Sequence, residues 1–566
     1  MTIEVFLILK CSSPKRPCIH LLTKQLFVLC LVNIFNRLLK AITFTVSLSR
    51  YIFIVDGLMH HILNITRDLE LPQYSPSAMA SISDLPVELL LTIFKLIYDS
   101  NTQTNNLEDD FVVDGGGYSD PSLHASTWIE DDLHRPTLFP MTIAFVCRHW
   151  RDILARSPEY WNRVVFEVGR DPTPLLDAFS WSNGQLLDVL VWNRIPDLTA
   201  AGKILENERV SAITESLTPH FHRCCRISYE VTYSSSLPPI ATIFRPGPCI
   251  LRQFVFEPRV DDIQYDHPSN LSDMMVEPTM PMVPFSDLAV LSLGARLFID
   301  LGRAYPSWLH NLRSDAYLTL TISQCRFQQQ RYNDDGRYTL LELLSHLAAM
   351  PQPEVLRLRN LSLTYESEVP TTDPKYTIKP TSLFLDNLGE NFLAEFFDRT
   401  ILSCENIYIN RCTLPWIHHP LNSTYLHLDN LGYIHNISNI LWVWQGFHLS
   451  LDSCASFDDD LLDRLEDDGR HWCLKSLTDL TLKDCINFTS AGLRKLMMLQ
   501  RAMAAAEDIE QTTLDRVSVE GGRLSLWEDD ISWFRQQRGS TDVSWTIIHP
   551  DGTCAYPLNH YRLGED

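Results

Sequence analysis

The chain has 566 residues, 45% of them hydrophobic and 21% charged, with a net charge of −23 at pH 7. That length fits roughly two to four domains, and the acidic balance repels phosphate backbones, which argues against nucleic acid as a main partner. Fourteen cysteines are scattered with no CxxC pair, so a zinc ribbon is excluded; the pattern reads as reduced, mostly buried thiols of the cytoplasm and/or nucleus.

Residues 1–78 differ from the rest, with eight Lys/Arg against four Asp/Glu and apolar runs such as "LFVLCLVNIF" and "AITFTVSLSRYIFIV". Arg37 and Lys40 separate these runs, and neither reaches the roughly 18–20 residues of a spanning helix. No small-residue cleavage site marks a secretory signal. Three readings stand for this leader: a membrane-associated anchor, a mitochondrial-type presequence, or upstream sequence joined to a true start at Met79. The last is favoured, because "MASISDLPVELL" opens just before the first organised helix. Membrane association is not expected.

"ISDLPVELLLTIFKLIYDS", residues 82–100, predicts a helix with Pro86 at its first position and Glu88 in its first turn. Leu85, Leu89, Leu90, Ile93, Phe94 and Ile97 form one apolar stripe; Val87, Leu91 and Tyr98 form a second. A helix apolar on two faces must be covered twice. Residues 101–139 follow, with eight acids and one base and runs such as "DGGG". They predict a disordered insertion.

In "PMTIAFVCRHWRDILARSPEYWNRVVFEV", Ile143, Val146, Cys147, Trp150, Ile153 and Leu154 keep helical spacing and predict one amphipathic helix. Ser157 and Pro158 suit the start of a short second helix anchored by Trp161, and "RVVFEV" reads as a strand. "LPVELLLTIFKLI" followed by "VCRHWRDIL…SPEYWNRV" resembles an F-box domain. The match covers about 45 residues plus the insertion, from which the compact pattern departs. The resemblance implies a surface for the Skp-type adaptor of a cullin–RING ubiquitin ligase. The residues assigned to it are Leu85, Pro86, Glu88, Leu89, Ile93, Phe94, Val146, Cys147, Trp150 and Trp161. In that reading Leu85, Pro86, Leu89, Ile93 and Phe94 bury against the adaptor, each worth roughly 1.5–3 kcal/mol before ordering costs. The other stripe meets the helix carrying Val146 and Trp150.

Two downstream segments align without gaps, 31 residues apart. "HLSLDSCASFDDDLLDRL" carries Leu449, Leu451, Cys454, Phe457, Leu462 and Leu465; "DLTLKDCINFTSAGLRKL" carries Leu480, Leu482, Cys485, Phe488, Leu493 and Leu496. Each reads as a strand, a buried Cys and a short helix, and resembles the cysteine-containing leucine-rich repeat. "LTLTISQCRF" and "IYINRCTL" are weaker copies; "VLRLRNLSL", "SLFLDNL" and "YLHLDNL" keep the alternation without the Cys. "LLDVLVW" and "CCRISYEV" are candidate first strands.

The expected fold class is α+β to α/β: a small N-terminal helical F-box module, 79–168, with the insertion 101–139, then an irregular leucine-rich-repeat solenoid over 185–520. Pro-rich loops are expected at 238–248, 277–284 and 370–376, and a terminal cap at 521–566.

Catalytic and metal patterns are weak. "HFHRCCR" brings His220, His222, Cys224 and Cys225 together, but adjacent cysteines chelate one ion poorly, so it reads as a helix end entering a strand. His60–His61 and "IHHP" at 417–420 read the same way. No GxSxG, HExxH or phosphate-loop motif occurs, and the repeat cysteines sit where burial opposes a thiolate. The acidic run at 456–470 reads as a solvated helix face, the alternative being a surface that selects a basic segment of a target. No cofactor, metal or catalytic residue is expected. The partners implied are the Skp-type adaptor, through it cullin and RING subunits, and a protein substrate the sequence does not name. The alternative is a non-ligase interaction scaffold, or a membrane-anchored adaptor using residues 1–78.

Overall fold

The structure is a computed structural model. It describes residues 87–102, 139–239, 250–262, 288–304, 318–328, 338–364, 375–432, 437–467, 476–506, 514–521, 528–536, 541–548 and 554–558, with short strands at 7–8 and 79–80 and single residues 306, 312 and 526. The rest of the leader, Leu85, Pro86, nearly all of the 101–139 insertion, the 277–284 stretch and most of the other two Pro-rich stretches lie outside the described residues. The chain divides into two compact units, Met1–Arg156 and Ser157–Asp566.

In the first unit, helix α1 spans Val87–Thr102, α2 Met141–Ala144 and α3 Arg148–Leu154. Leu90 and Phe94, one turn apart, are buried, and Phe94 meets the Trp150 ring edge-on at 5.4 Å. Tyr98, one turn further, lies 5.8 Å from Phe139. The inner stripe of α1 is therefore the i, i+4, i+8 row Leu90–Phe94–Tyr98. The single helix expected over 143–154 is two, because Cys147 is extended, with φ −159° and ψ 165°, and caps α3. That break turns Val146 outward instead of onto α1.

The second unit is mixed helix and strand, built on a fifteen-stranded sheet in strict sequence order. The first five strands are β1 Arg163–Glu167, β2 Leu187–Trp192, β3 Cys224–Glu230, β4 Gln253–Phe256 and β5 Val290–Gly294. Next come β6 Thr319–Gln328, β7 Val355–Thr364, β8 Ser382–Asp386, β9 Asn406–Asn410 and β10 Tyr425–Asp429. The last five are β11 His448–Asp452, β12 Asp479–Lys483, β13 Arg516–Glu520, β14 Asp542–Ile548 and β15 Cys554–Leu558. Neighbours pair in parallel except β14 and β15, which are antiparallel. The general class is thus α/β, as expected. The strand expected to close the helical module, Arg163–Glu167, instead opens the sheet by pairing with β2. The sheet also runs past residue 520 into the segment expected as a cap.

Helices fill many of the connections: α4 Ala200–Leu217, α5 Ala295–Ala304, α6 Leu340–Ala349, α7 Glu390–Arg399, α8 Asp459–Asp467, α9 Ser490–Ala506 and α10 Glu528–Gln536. Local chemistry sets their starts. Thr199 accepts a bond from the Gly202 N–H at 3.1 Å, and Thr339 from the Glu342 N–H at 3.2 Å, each satisfying an orphan donor. The buried face of the strands carries Leu at alternate positions, against Phe298, Leu343, Phe392, Leu461 and Leu493 from the helices. Phe457, Phe488 and Trp545 continue this core between repeats, with ring centres 5.4 and 6.1 Å apart.

One backbone device recurs at the strand ends. Gln324, Asn360, Asn387, Arg411, Asn430, Ser453, Asp484 and Gly521 all have φ between 49° and 77° at the same register; Gln324 and Asn360 lie within the long strands β6 and β7, and the others directly follow β8 to β13. This left-handed residue turns the chain while its N–H still reaches the next strand, as from Asn430 to the Asp452 carbonyl at 2.9 Å and from Ser453 to the Lys483 carbonyl at 2.8 Å. From β6 to β12 the residue after it is buried: Cys325, Leu361, Leu388, Cys412, Leu431, Cys454 and Cys485. Three cysteines at this position donate their thiols to the preceding strand: Cys412 to the Leu385 carbonyl and Cys454 to the Leu428 carbonyl, each at 3.3 Å, and Cys485 to the Leu451 carbonyl at 3.6 Å. The Cys therefore supplies a donor as well as filling space.

Among the described residues, no helix is long and apolar enough to cross a membrane.

Candidate functional site

Two surfaces stand out, one in each unit. In the first, the buried row of α1 leaves Ile93 half-buried and Leu96 60% exposed, three residues apart and on another side of the helix from Phe94. Val146, in the turn before α3, is 55% exposed, and Val87 and Phe145 are exposed too. Exposed apolar residues this frequent on a small helical unit mark an interaction surface more readily than a solvent face.

The expected adaptor residues divide accordingly. Phe94 and Trp150 are buried against each other. Trp161 belongs to the second unit, where it is fully buried with its ring 4.8 Å from Trp181. These three hold the chain's own core, because their rings find partners within it. Glu88 is exposed, Ile93 and Cys147 are half-buried, and Val146 is exposed. Leu85, Pro86 and the Leu89 side chain lie outside the described residues. Leu96 was missed by sequence reasoning, although its spacing from Ile93 signals it.

The second surface is the sheet face opposite the helices. From β8 to β11 it carries side chains in three rows set by the register. The middle row is Phe384, Tyr408, His427 and Ser450; Tyr425 stands in the row before, and Asp386, Asn410, Asp429 and Asp452 in the row after. Phe384 and Tyr408 stack at 4.2 Å with planes 3° apart. Tyr408 lies 5.5 Å from Tyr425 and 5.8 Å from His427. The Arg357 guanidinium covers the free side of Phe384 at 4.6 Å, a cation–π contact.

The carboxylates are unevenly partnered. Asp386 accepts from Arg411 at 2.8 Å and lies 3.3 Å from Arg359. Asp452 has Lys483 at 3.7 Å and the Ser453 hydroxyl at 2.9 Å. Asp429 has no hydrogen-bond donor among the described residues and faces Asp452 directly across the ladder. Burial, then the Asp452 charge, pushes its carboxyl above the usual range. Burial holds His427 below the usual imidazole range, and its Nδ1 lies 2.9 Å from the Ser450 hydroxyl.

At the other end of these strands, a shallow pocket of about 540 Å³ is lined by Lys379, Thr381, Cys404, Glu405, Thr424 and Phe447. Burial pushes the Cys404 thiol up to about 12, so it offers no nucleophile at neutral pH. The same holds for the repeat thiol Cys412, also pushed by burial to about 12.

"HFHRCCR" is a helix end entering a strand: His220 and His222 lie on the turn Thr218–Arg223, and Cys224 opens β3 with its thiol 3.4 Å from the His220 carbonyl. His418 and His419 are exposed, and His419 lies 2.6 Å from the Lys375 ammonium. His60 and His61 lie outside the described residues. The repeat pairs come together: Leu449 and Leu451 pair in register with Leu480 and Leu482, and Cys454 and Cys485 are both buried.

No protein-family model matches the chain, and no curated protein matches it.

Proposed function

We propose that the chain is a substrate receptor of an SCF-type cullin–RING ubiquitin ligase. Its first unit is an F-box module for a Skp-type adaptor, and its second is a divergent leucine-rich-repeat solenoid that holds a protein target. The receptor is not itself catalytic. It acts by position, raising the effective concentration of a target lysine beside a charged conjugating enzyme. The observation that carries the reading is that α1, from Val87 onward, and α3, from Arg148 onward, are joined by Phe94 on Trp150 while Leu96 and Val146 stay exposed and Ile93 half-buried. The sequential parallel order of β1 to β14, with a left-handed residue at a shared register from β6 to β13, supports the solenoid half.

The test is co-purification of the full chain with adaptor, cullin and RING subunits from cells. The reading expects all of them, and expects Leu96→Asp/Val146→Asp to lose adaptor and cullin together while the circular dichroism spectrum is unchanged. Adaptor without cullin would favour the non-ligase scaffold. Recovery of neither by the wild-type chain would overturn the reading.

A further inference from the structure

The platform on β8–β11 is an aromatic floor beside a line of carboxylates. The register sets Phe384, Tyr408 and His427 on successive strands, with spacing of about 4.8 Å between strands. Asp386, Asn410, Asp429 and Asp452 lie two residues further along the same strands. Each ring is half-buried, so one flank rests on the sheet and the rest is open.

One end of the floor already holds a cation of this chain, Arg357 over Phe384. Nearby cations are committed to the carboxylate line, Arg359 and Arg411 on Asp386 and Lys483 beside Asp452. Around Tyr408, Tyr425 and His427, no cation–π contact is made among the described residues. Asp429 and Asp452, like charges on neighbouring strands, bound that stretch. Directly opposed like charges destabilise a sheet, and a cation between them and the rings converts that repulsion into attraction.

We propose that this stretch, centred on Tyr408, Tyr425, His427, Asp429 and Asp452, captures an extended, lysine- or arginine-bearing segment of a protein partner. Charge complementarity selects the occupant. Two opposed carboxylates repel phosphates and acidic peptides, and stacked rings favour a flat guanidinium or an ammonium on a long apolar stem. An extended segment can cross several strands and present alternate side chains to the rings. The proposal rests on the receptor reading only in treating this face as the target face.

The full chain is titrated by fluorescence anisotropy into a labelled Gly-Ser-Arg-Gly-Ser-Arg-Gly-Ser peptide and into the same peptide with citrulline in place of arginine. The arginine peptide is expected to bind at least tenfold more tightly. Asp429→Asn/Asp452→Asn is expected to remove that difference, and Tyr408→Ala to weaken binding several-fold, with melting temperatures within a few degrees of wild type. Equal binding of the two peptides, no binding of either, or undiminished binding by the double variant would overturn the proposal. Adaptor recovery is measured on the same variants. If they keep the adaptor and peptide capture fails, this inference falls alone; if peptide capture holds and the wild-type chain recovers no adaptor, the receptor reading falls alone.

Discussion

On β1 to β5 the sheet face opposite the helices is closed: Val165, Leu190, Ser228, Val255 and Ser292, one per strand at a shared register, are all buried. On β7 to β12 that register carries Arg357, Phe384, Tyr408, His427, Ser450 and Thr481, and all but Ser450 are half-buried or exposed. The two regions also hold their strand ends differently. In the first, Glu206 of α4 is buried and accepts from the Asn193 side chain at 2.6 Å and from the Thr232 and Tyr233 N–H groups at 3.0 and 2.9 Å, tying together the exits of β2 and β3. Arg223 donates to the Ser182 hydroxyl at 2.7 Å, to the Gln185 carbonyl at 2.8 Å and to the Phe179 carbonyl. In the second, the left-handed residue and the Cys or Leu behind it do that work within each repeat. A sheet that continues in one register can thus be core on both faces at one end and carry an open aromatic and acidic face at the other.

Charge placed at one register in both regions gives the sharpest contrast. Leu190→Asp buries an unpaired carboxylate and is expected to cost more than about 3 kcal/mol, while Thr481→Asp on β12 stays within about 1 kcal/mol. Urea unfolding of both variants reads this directly, and similar losses would erase the distinction. Next in size, Arg223→Ala leaves buried acceptors without a donor and is expected to lower stability by about 2–3 kcal/mol by the same measurement. In the second region Cys454→Ala removes one thiol donor and a little volume, for about 1–2 kcal/mol.

A pH effect separates the regions at β5–β6. Asp300 on α5 accepts from the Tyr338 hydroxyl at 2.8–2.9 Å, and burial pushes its carboxyl up to about 6. The folded state holds that proton more tightly than the unfolded chain, so stability declines as pH rises from about 4 to about 6. Asp300→Asn is expected to flatten that slope and to raise stability at pH 7 by about 1–2 kcal/mol, seen as a higher melting temperature at pH 7 than at pH 4 relative to wild type. The smallest effect is expected at one of the left-handed residues. Gln324→Gly relieves a left-handed side chain, with φ 52°, and is expected to gain about 0.5 kcal/mol after the entropy cost of glycine.

Much of the second unit was legible because its repeats align with themselves. Leu449/Leu480, Leu451/Leu482, Cys454/Cys485 and Phe457/Phe488 match in sequence; the Leu pairs are in register, the two Cys are both buried and the two Phe meet edge-on. The left-handed residue was less visible. "LDNL" occurs twice with Asn387 and Asn430 at the turn, but Gln324, Arg411, Ser453 and Asp484 take the same conformation with side chains that do not announce it. The aromatic platform was written in the strands as Phe384, Tyr408, Tyr425 and His427 alternating with Leu or Ile, a period that marks a face without saying what lies over it. In the first unit, helical spacing offered several stripes on α1 and no means of ranking them. Phe94 turned inward because Trp150 lies there, and Val146 turned outward because the chain extends at Cys147. Both are tertiary outcomes that periodicity does not encode.

Calorimetric titration of purified Skp-type adaptor into the full chain, alongside Leu96→Asp/Val146→Asp, reads the proposed docking face without intermediaries. An F-box surface at Leu96 and Val146 should give a one-to-one complex with a dissociation constant at or below about 1 μM, a negative heat-capacity change from apolar burial, and at least tenfold weaker binding by the variant. No measurable heat with the wild-type chain, or equal affinity for both proteins, would contradict it.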